Sequence, residues 1–515
     1  MTAGQKFAQT PQADVNRSSF NRDHSLKTTF DADLLIPILV DEVLPGDTHK
    51  LKANLFGRLA TPINPIMDNM YLDTFYFFVP MRLVWDNYAK FFGEQQNPDS
   101  STDFLIPTST GTLVANSVYD YMGLPIGNET TFNNLPIRAY WLIYDEWFRD
   151  QNLQESANIN RGDTGIIQNV LYNPSIPIAR GKRHDYFTSC LPFAQKGDAA
   201  FIPLGDKALV MTNASNNGPV SVLQEGGFFI NDNRYLTAST SFTNKDSTAS
   251  RPNGGELYAD LTTATGANIN EWRQAFQIQK FLERDARGGT RYTEKVKSHF
   301  GVTSPDSRLQ RPEYLGGSSA PINVHPVPQT SSTDATTPQG NLGAFGTVAE
   351  SGSGFTKSFT EHGYIIGLAN VRADLTYQQG LDKLWSRSTQ FDFYFPTFAH
   401  LGEQAVLNKE IYHQATAADN LTFGYQERYS EYKYKKSYLA GLFRSSAAAS
   451  LDSWHLSQDF ATLPTLGTTF IKSNTPVDRV IAVPAEPHII LDCYFNYTSV
   501  RPIPVFSPPG MIDHF

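Results

Sequence analysis

Residues 17–80 read RSSFNRDHSLKTTFDADLLIPILVDEVLPGDTHKLKANLFGRLATPINPIMDNMYLDTFYFFVP. A strand-like run over 34–43 stops at Pro45-Gly46-Asp47, a turn signal. Leu51, Ala53, Leu55, Gly57 and Leu59 then alternate with Lys50, Lys52, Asn54, Phe56 and Arg58, the period-2 pattern of a half-buried strand. After the Pro62/Pro65 break, 75–79 is apolar at every position and predicts a strand buried on both faces. The block holds strands and turns without a catalytic constellation.

Outside it, 489–500 alternates again, with Ile489, Leu491, Cys493, Phe495 and Tyr497 forming an inward row. Segments 389–398 and 477–483 are further strand candidates. Helical pattern is sparse. Ile137, Tyr140, Trp141, Tyr144, Trp147 and Phe148 make one aromatic stripe. A second helix runs from Asn270 through Trp272, Phe276 and Leu282 to a Gly288-Gly289 stop, and a third lies near 400–413. The 36 Gly and 31 Pro mark many turns. Strands at both ends with long material between predict a mainly β protein, an eight-stranded antiparallel jelly roll with long inter-strand insertions and a few short helices. Eight strands of about six residues use only about fifty residues, so the connections hold most of the chain.

Several function classes are excluded or weakened. A net charge of −9 argues against wholesale nucleic-acid binding, so any DNA contact must be local. Residues 1–12 contain no apolar signal core, and no run approaches a membrane span, so no membrane insertion is expected. Two cysteines are too few for a disulfide framework, and Cys493 reads as a buried thiol. Residues 351–358, SGSGFTKS, fail the phosphate-loop spacing; no GxSxG elbow and no HExxH occurs. His184, His362 and His400 read as structural histidines, and Asp145/Glu146 are adjacent rather than flanking a bond. No enzyme, cofactor or metal is expected.

The 17–80 block resembles the amino-terminal region of the major capsid protein of gokushoviruses, single-stranded-DNA phages of the Microviridae. Matching segments follow in one order: RGKRHDYFTSCLPFAQKG from Arg180, ERDARGGTRY from Glu283, SPDSRLQRPEYLGG from Ser304, VRADLTYQQG from Val371, AHLGEQAVLNKEIY from Ala399, LDSWHLSQDF from Leu451 and the terminal GMIDHF. The resemblance implies a T=1 icosahedral shell of sixty copies around a circular single-stranded DNA genome. It also implies a small basic DNA-associated protein, scaffolding and pilot proteins as partners, assembly in the bacterial host cytoplasm, and an insertion that forms a protrusion at the threefold axes and meets a host surface receptor.

The expected organisation is an N-terminal arm over 1–30, jelly-roll core over 31–196 and 269–500, the insertion over 197–268, and a Pro-rich C-terminal arm over 501–515. The insertion is rich in Asn, Thr, Ser and Gly; Asn213, Asn216, Asn217, Asn244, Lys245 and Asn253 are its candidate attachment residues. A second polar stretch, 316–358, is expected to be extended or flexible, lying along a neighbouring subunit. Three basic clusters are candidate DNA-facing sites: Arg180, Lys182, Arg183 and His184; Arg284, Arg287 and Arg291; and Arg428, Lys433, Lys435 and Lys436 among tyrosines. Intrachain or intersubunit pairing with nearby carboxylates stands beside DNA contact for each. The rival class is a carbohydrate-binding β-sandwich presenting aromatic platforms. A chain of 57.4 kDa exposes about 19,000 Å² as a globule. Five ordinary contacts would cover about 4,000 Å² of that.

Overall fold

The computed structural model describes residues 15–198, 200, 209–212, 257–260, 269–331 and 339–506. Eight long antiparallel strands carry the fold: β1 (His24–Phe30), β2 (Ile36–Val43), β3 (Thr48–Leu59), β4 (Met70–Pro80), β5 (Glu313–Pro328), β6 (Leu342–Ser358), β7 (Gly363–Ala373) and β8 (Ile489–Arg501). Their pairing orders are β1-β8-β3-β6 and β2-β7-β4-β5. Consecutive strands thus alternate between two four-stranded sheets, except β4 and β5, which are neighbours in one of them, and this is jelly-roll connectivity. The second half of β5, from Asn323, turns away from β4 and pairs with β6, linking the two sheets at one end. A short strand, Ser18–Asn21, continues β1 along β8.

Local chemistry explains the elements. The β2–β3 turn closes where expected, with Gly46 at φ +92° and the Asp47 carboxylate accepting from the Leu44 amide at 2.9 Å. Along β3, buried and exposed residues alternate from His49 to Leu59, and β8 alternates in phase with it, pairing Leu55 with Cys493. Leu51, Ala53 and Leu55 of β3 and Leu491, Cys493 and Phe495 of β8 meet Ile38, Leu72, Tyr76, Ile365 and Val371 of the other sheet in the sandwich core. Sheet β2-β7-β4-β5 is buried on its far side as well. There Phe77, Val79, Ile366 and Leu368 pack against Trp85, Ile137, Tyr140, Trp141 and Tyr144. The helix α1 (Leu135–Ile143), extended by a π-helical turn to Phe148, supplies that cover through the predicted aromatic stripe.

Two long connections, 81–312 and 374–488, carry most of the remaining chain. The chain divides into two compact units, one spanning Gln195–Arg284 and the other the rest. Within the smaller unit, Leu209–Thr212 pairs with Leu257–Asp260, and the Lys196 amide donates to the Leu282 carbonyl at 3.3 Å. The helix α2 runs Ile269–Arg287, with Gly289 beyond it at φ +94°.

Four expectations need correction. Residues 316–358 supply β5 and β6, two core strands, instead of a flexible loop. Their Gly and Ser content reflects close backbone approach: a Cβ on Gly346 would sit 2.8 Å from that of Leu59. Segment 389–398 forms two short 3-10 turns, because Asp392 caps the first and Pro396 starts the second. Segment 477–483 is likewise a 3-10 turn, its buried Val477, Val480 and Ile481 falling at helical spacing between Pro476 and Pro484. Near 400–413 a strand, Glu403–Leu407, pairs with Thr422–Glu427, and only a single turn, Asn408–Ile411, is helical.

The register of β8 makes a sharp prediction for adjacent residues. Phe495→Ala should cost about 3–5 kcal/mol in urea unfolding, whereas Tyr494→Ala on the exposed face should cost about 0.5 kcal/mol or less. Equal losses would contradict the in-phase alternation of β3 and β8.

Candidate assembly and ligand-facing surfaces

The two ends of the described chain are tied into the barrel by one polar network. Arg22 donates to Asp41 through both Nη atoms at 2.5 and 2.7 Å, and the Tyr497 hydroxyl donates to the same carboxylate at 2.6 Å. Arg501 reaches Asp41 and Asp47 at 3.5 and 3.4 Å. His49, fully buried, lies between Asp47 at 3.1 Å and the Ser499 hydroxyl at 2.8 Å. Burial would raise the Asp41 carboxyl, but the Arg22 and Tyr497 donors hold it below its ordinary value. Burial depresses the His49 imidazole against the opposing pull of Asp47. The interaction is structural, since every group faces another member of the chain.

The basic clusters are placed unevenly. Arg180 is partly buried, donating to Asp73 at 3.0 Å and lying over Phe75 and Phe148. Lys182 is buried, with its ammonium 3.2 Å from Gln458 Oε1 and 4.6 Å from the Phe470 ring centroid; burial pushes it down to about 8. Arg287 pairs with Glu403 and Glu427, and Arg291 with Glu146 at 2.8 Å and Glu294 at 2.9 Å. Lys433 pairs with Glu427, and Lys436 with Asp382 at 2.6 Å. Arg428 lies over the ring of Tyr429. Arg183, His184, Arg284 and Lys435 are exposed with no ion-pair partner among the described residues. The three clusters therefore do not form one basic surface: carboxylates adjacent in space account for much of their charge. Asn213, Asn216, Asn217, Asn244, Lys245 and Asn253 lie outside the described residues.

The sequence reading missed an exposed aromatic surface on the connection 374–488. Leu384, Trp385, Phe391, Phe393, Tyr394 and Phe395 are each about half exposed or more, Trp385 at 74%. Tyr394 meets Tyr429 and Tyr432 edge to face at 5.0 and 6.3 Å, and Tyr434 and Tyr438 extend the exposed rings. Aromatic surface on this scale marks a contact with another protein surface. Its sequence signal, aromatics clustered over 391–398, falls in the segment 389–398 expected to be a strand.

Among the described residues no group of three or more His, Cys, Asp or Glu could hold a metal ion, and no helix is long and apolar enough to cross a membrane. Both cysteines are buried, and burial pushes both thiols up. Beside a cavity of about 180 Å³ the Tyr186 hydroxyl donates to Glu410 at 2.9 Å and Arg387 pairs with Glu431, while Lys435, which also lines it, has no ion-pair partner among the described residues.

Comparison with known proteins gives one answer over nearly the whole chain. The family model for capsid protein (F protein) matches residues 8–511. Capsid protein VP1 of Bdellovibrio phage phiMH2K is 48% identical, covering 99% of this chain and 98% of that protein. Capsid protein VP1 of Chlamydia phage 1 is 44% identical, covering 98% and 97%. That of Spiroplasma virus 4 is 38% identical, covering 96% of each.

Lys182 yields a test of its structural role. Its folded value lies below the ordinary lysine value of about 10.4, so between about pH 8 and pH 10 the unfolded chain binds more protons and stability rises with pH. Lys182→Met should melt above the parent at pH 7, with the gap narrowing as pH approaches about 10. A variant less stable than the parent by a pH-independent amount would show that the ammonium contributes net stability.

Proposed function

The chain belongs to the capsid protein (F protein) family of phages, a family of structural proteins and not of enzymes, and from that membership we propose that sixty copies of it close a T=1 icosahedral shell around a circular single-stranded DNA genome. The observation that carries this reading is the eight-stranded jelly roll coupled to a broad exposed aromatic surface: a monomer gains nothing by leaving Trp385 and its neighbours in water, and a second copy would cover them.

Segment 197–268 is the proposed host-attachment protrusion, meeting a surface receptor. Its Asn- and Ser-rich composition and its place within the compact unit Gln195–Arg284 support a part that varies without disturbing the barrel. Arms at 1–30 and 501–515 would extend subunit contacts, and β1 within the first is itself a sheet strand. Scaffolding and pilot proteins and a small basic DNA-associated protein complete the proposed assembly, which takes place in the host cytoplasm.

Electron microscopy with sedimentation tests this on the chain expressed alone and then with its phage's other structural proteins. Closed isometric particles are expected. Trp385→Glu should leave a folded subunit but lower particle yield at least about tenfold, the effect of a buried interface aromatic made charged. Deleting 206–264 should leave particles that no longer adsorb to host cells. Persistent monomers under both conditions would contradict the shell reading, and normal adsorption by the deletion particles would contradict the attachment reading.

A further inference from the structure

One face of sheet β1-β8-β3-β6 packs into the core, and the other carries cations, amides and aromatic rings. Cross-strand register places Arg58 beside Ile490, Phe56 beside Asp492, Asn54 beside Tyr494, Lys52 beside Asn496 and Lys50 beside Thr498; Lys27 flanks Asp492 from the other side. Lys27, Lys50, Lys52 and Arg58 are exposed, and Phe56 and Tyr494 are 45% and 47% exposed between them. Asp492 is the only carboxylate among the outward residues of these four strands, and Lys27 approaches it at 3.3 Å. Lys50, Lys52 and Arg58 have no ion-pair partner among the described residues. The Arg58 guanidinium lies over the Phe56 ring, 5.8 Å from its centroid.

We propose that this sheet face is the surface on which the subunit holds single-stranded nucleic acid, without sequence preference. Lys50 and Lys52 project from one face about 6.7 Å apart along the strand, so they can neutralise successive backbone phosphates. Phe56 and Tyr494 offer flat rings to unpaired bases, and Asn54 and Asn496 offer both donors and acceptors between them. A plain solvated sheet face requires the alternation and the lysines, but not two half-exposed rings set among unpaired cations. Duplex DNA hides its base faces and would leave those rings without partners. Arg180, Arg287 and Arg291 are drawn into internal ion pairs, whereas Lys50, Lys52 and Arg58 have no ion-pair partner among the described residues. The proposal rests on the reading of the chain as a shell around single-stranded DNA.

The test uses the full chain as free subunits, with a fluorescein-labelled thymidine oligonucleotide followed by anisotropy over a salt series, and shell closure followed separately by sedimentation. Three unpaired cations predict a slope of log Kobs against log salt of about −2 for the parent. Lys50→Gln with Lys52→Gln should reduce that slope by about 1.4, and Lys50→Arg with Lys52→Arg should restore it. Phe56→Ala should weaken binding about 5- to 100-fold without altering the slope. Each variant should melt with the parent and close shells. Parent-like affinity and slope in the Gln pair would overturn the proposal. So would variants that lose shell closure while binding the oligonucleotide as the parent does, which would make the face a contact between copies. If the parent closes no shells yet binds with these slopes, the shell reading fails and the binding face stands.

Discussion

The structure depends on β8 lying between β1 and β3. Ile489–Arg501 joins His24–Phe30 and Thr48–Leu59, so the barrel cannot close until both long connections between them have been made. Its inward row fills the space between the sheets, with Cys493, Phe495 and Tyr497 essentially inaccessible. The Asp41, Arg22, Arg501 and Tyr497 network then fixes the register at the strand end, where a slip of one residue would turn the apolar row to solvent. Everything between the strands, including both long connections, hangs on a frame set by fewer than a quarter of the residues.

That frame was legible where one face of a strand is wet. Strands β3 and β8 each show period-2 alternation because their outer face meets solvent, and the turn at Gly46 carries its own backbone signal. Strand β4 was legible as a doubly buried run. Strand β7 is buried at nearly every position but was not picked out by pattern, because Asn370 and Arg372 interrupt it; both have internal partners, Asn370 donating to the Leu34 carbonyl at 3.0 Å and Arg372 to Asp73 at 2.7 Å. Strands β5 and β6 were hidden by Gly and Ser, residues that permit close backbone approach and that composition alone assigns to loops.

The functional surfaces were less legible, for a reason of the same kind. Clustered cations in sequence signal phosphate contact only if no carboxylate reaches them, and Glu403, Glu427, Glu146 and Asp73 come from distant segments. Conversely, Lys50 and Lys52 looked like the solvated half of an ordinary strand, and only the pairing of β3 with β8 sets them beside Phe56 and Tyr494. The aromatics over 391–398 were visible as composition, but they sit on turns at Asp392 and Pro396 in place of the expected strand. The proposal of a closed shell and its partners comes from family resemblance and not from the residues.

A cryo-electron-microscopy reconstruction of genome-filled particles tests the account most directly, because it gives copy number, strand order and the side facing the nucleic acid at once. The account predicts sixty subunits, each with β8 between β1 and β3, and density for unpaired bases against the outward face of that sheet. A different strand order, or a particle in which that face looks outward to solvent with no nucleic acid near it, would contradict it.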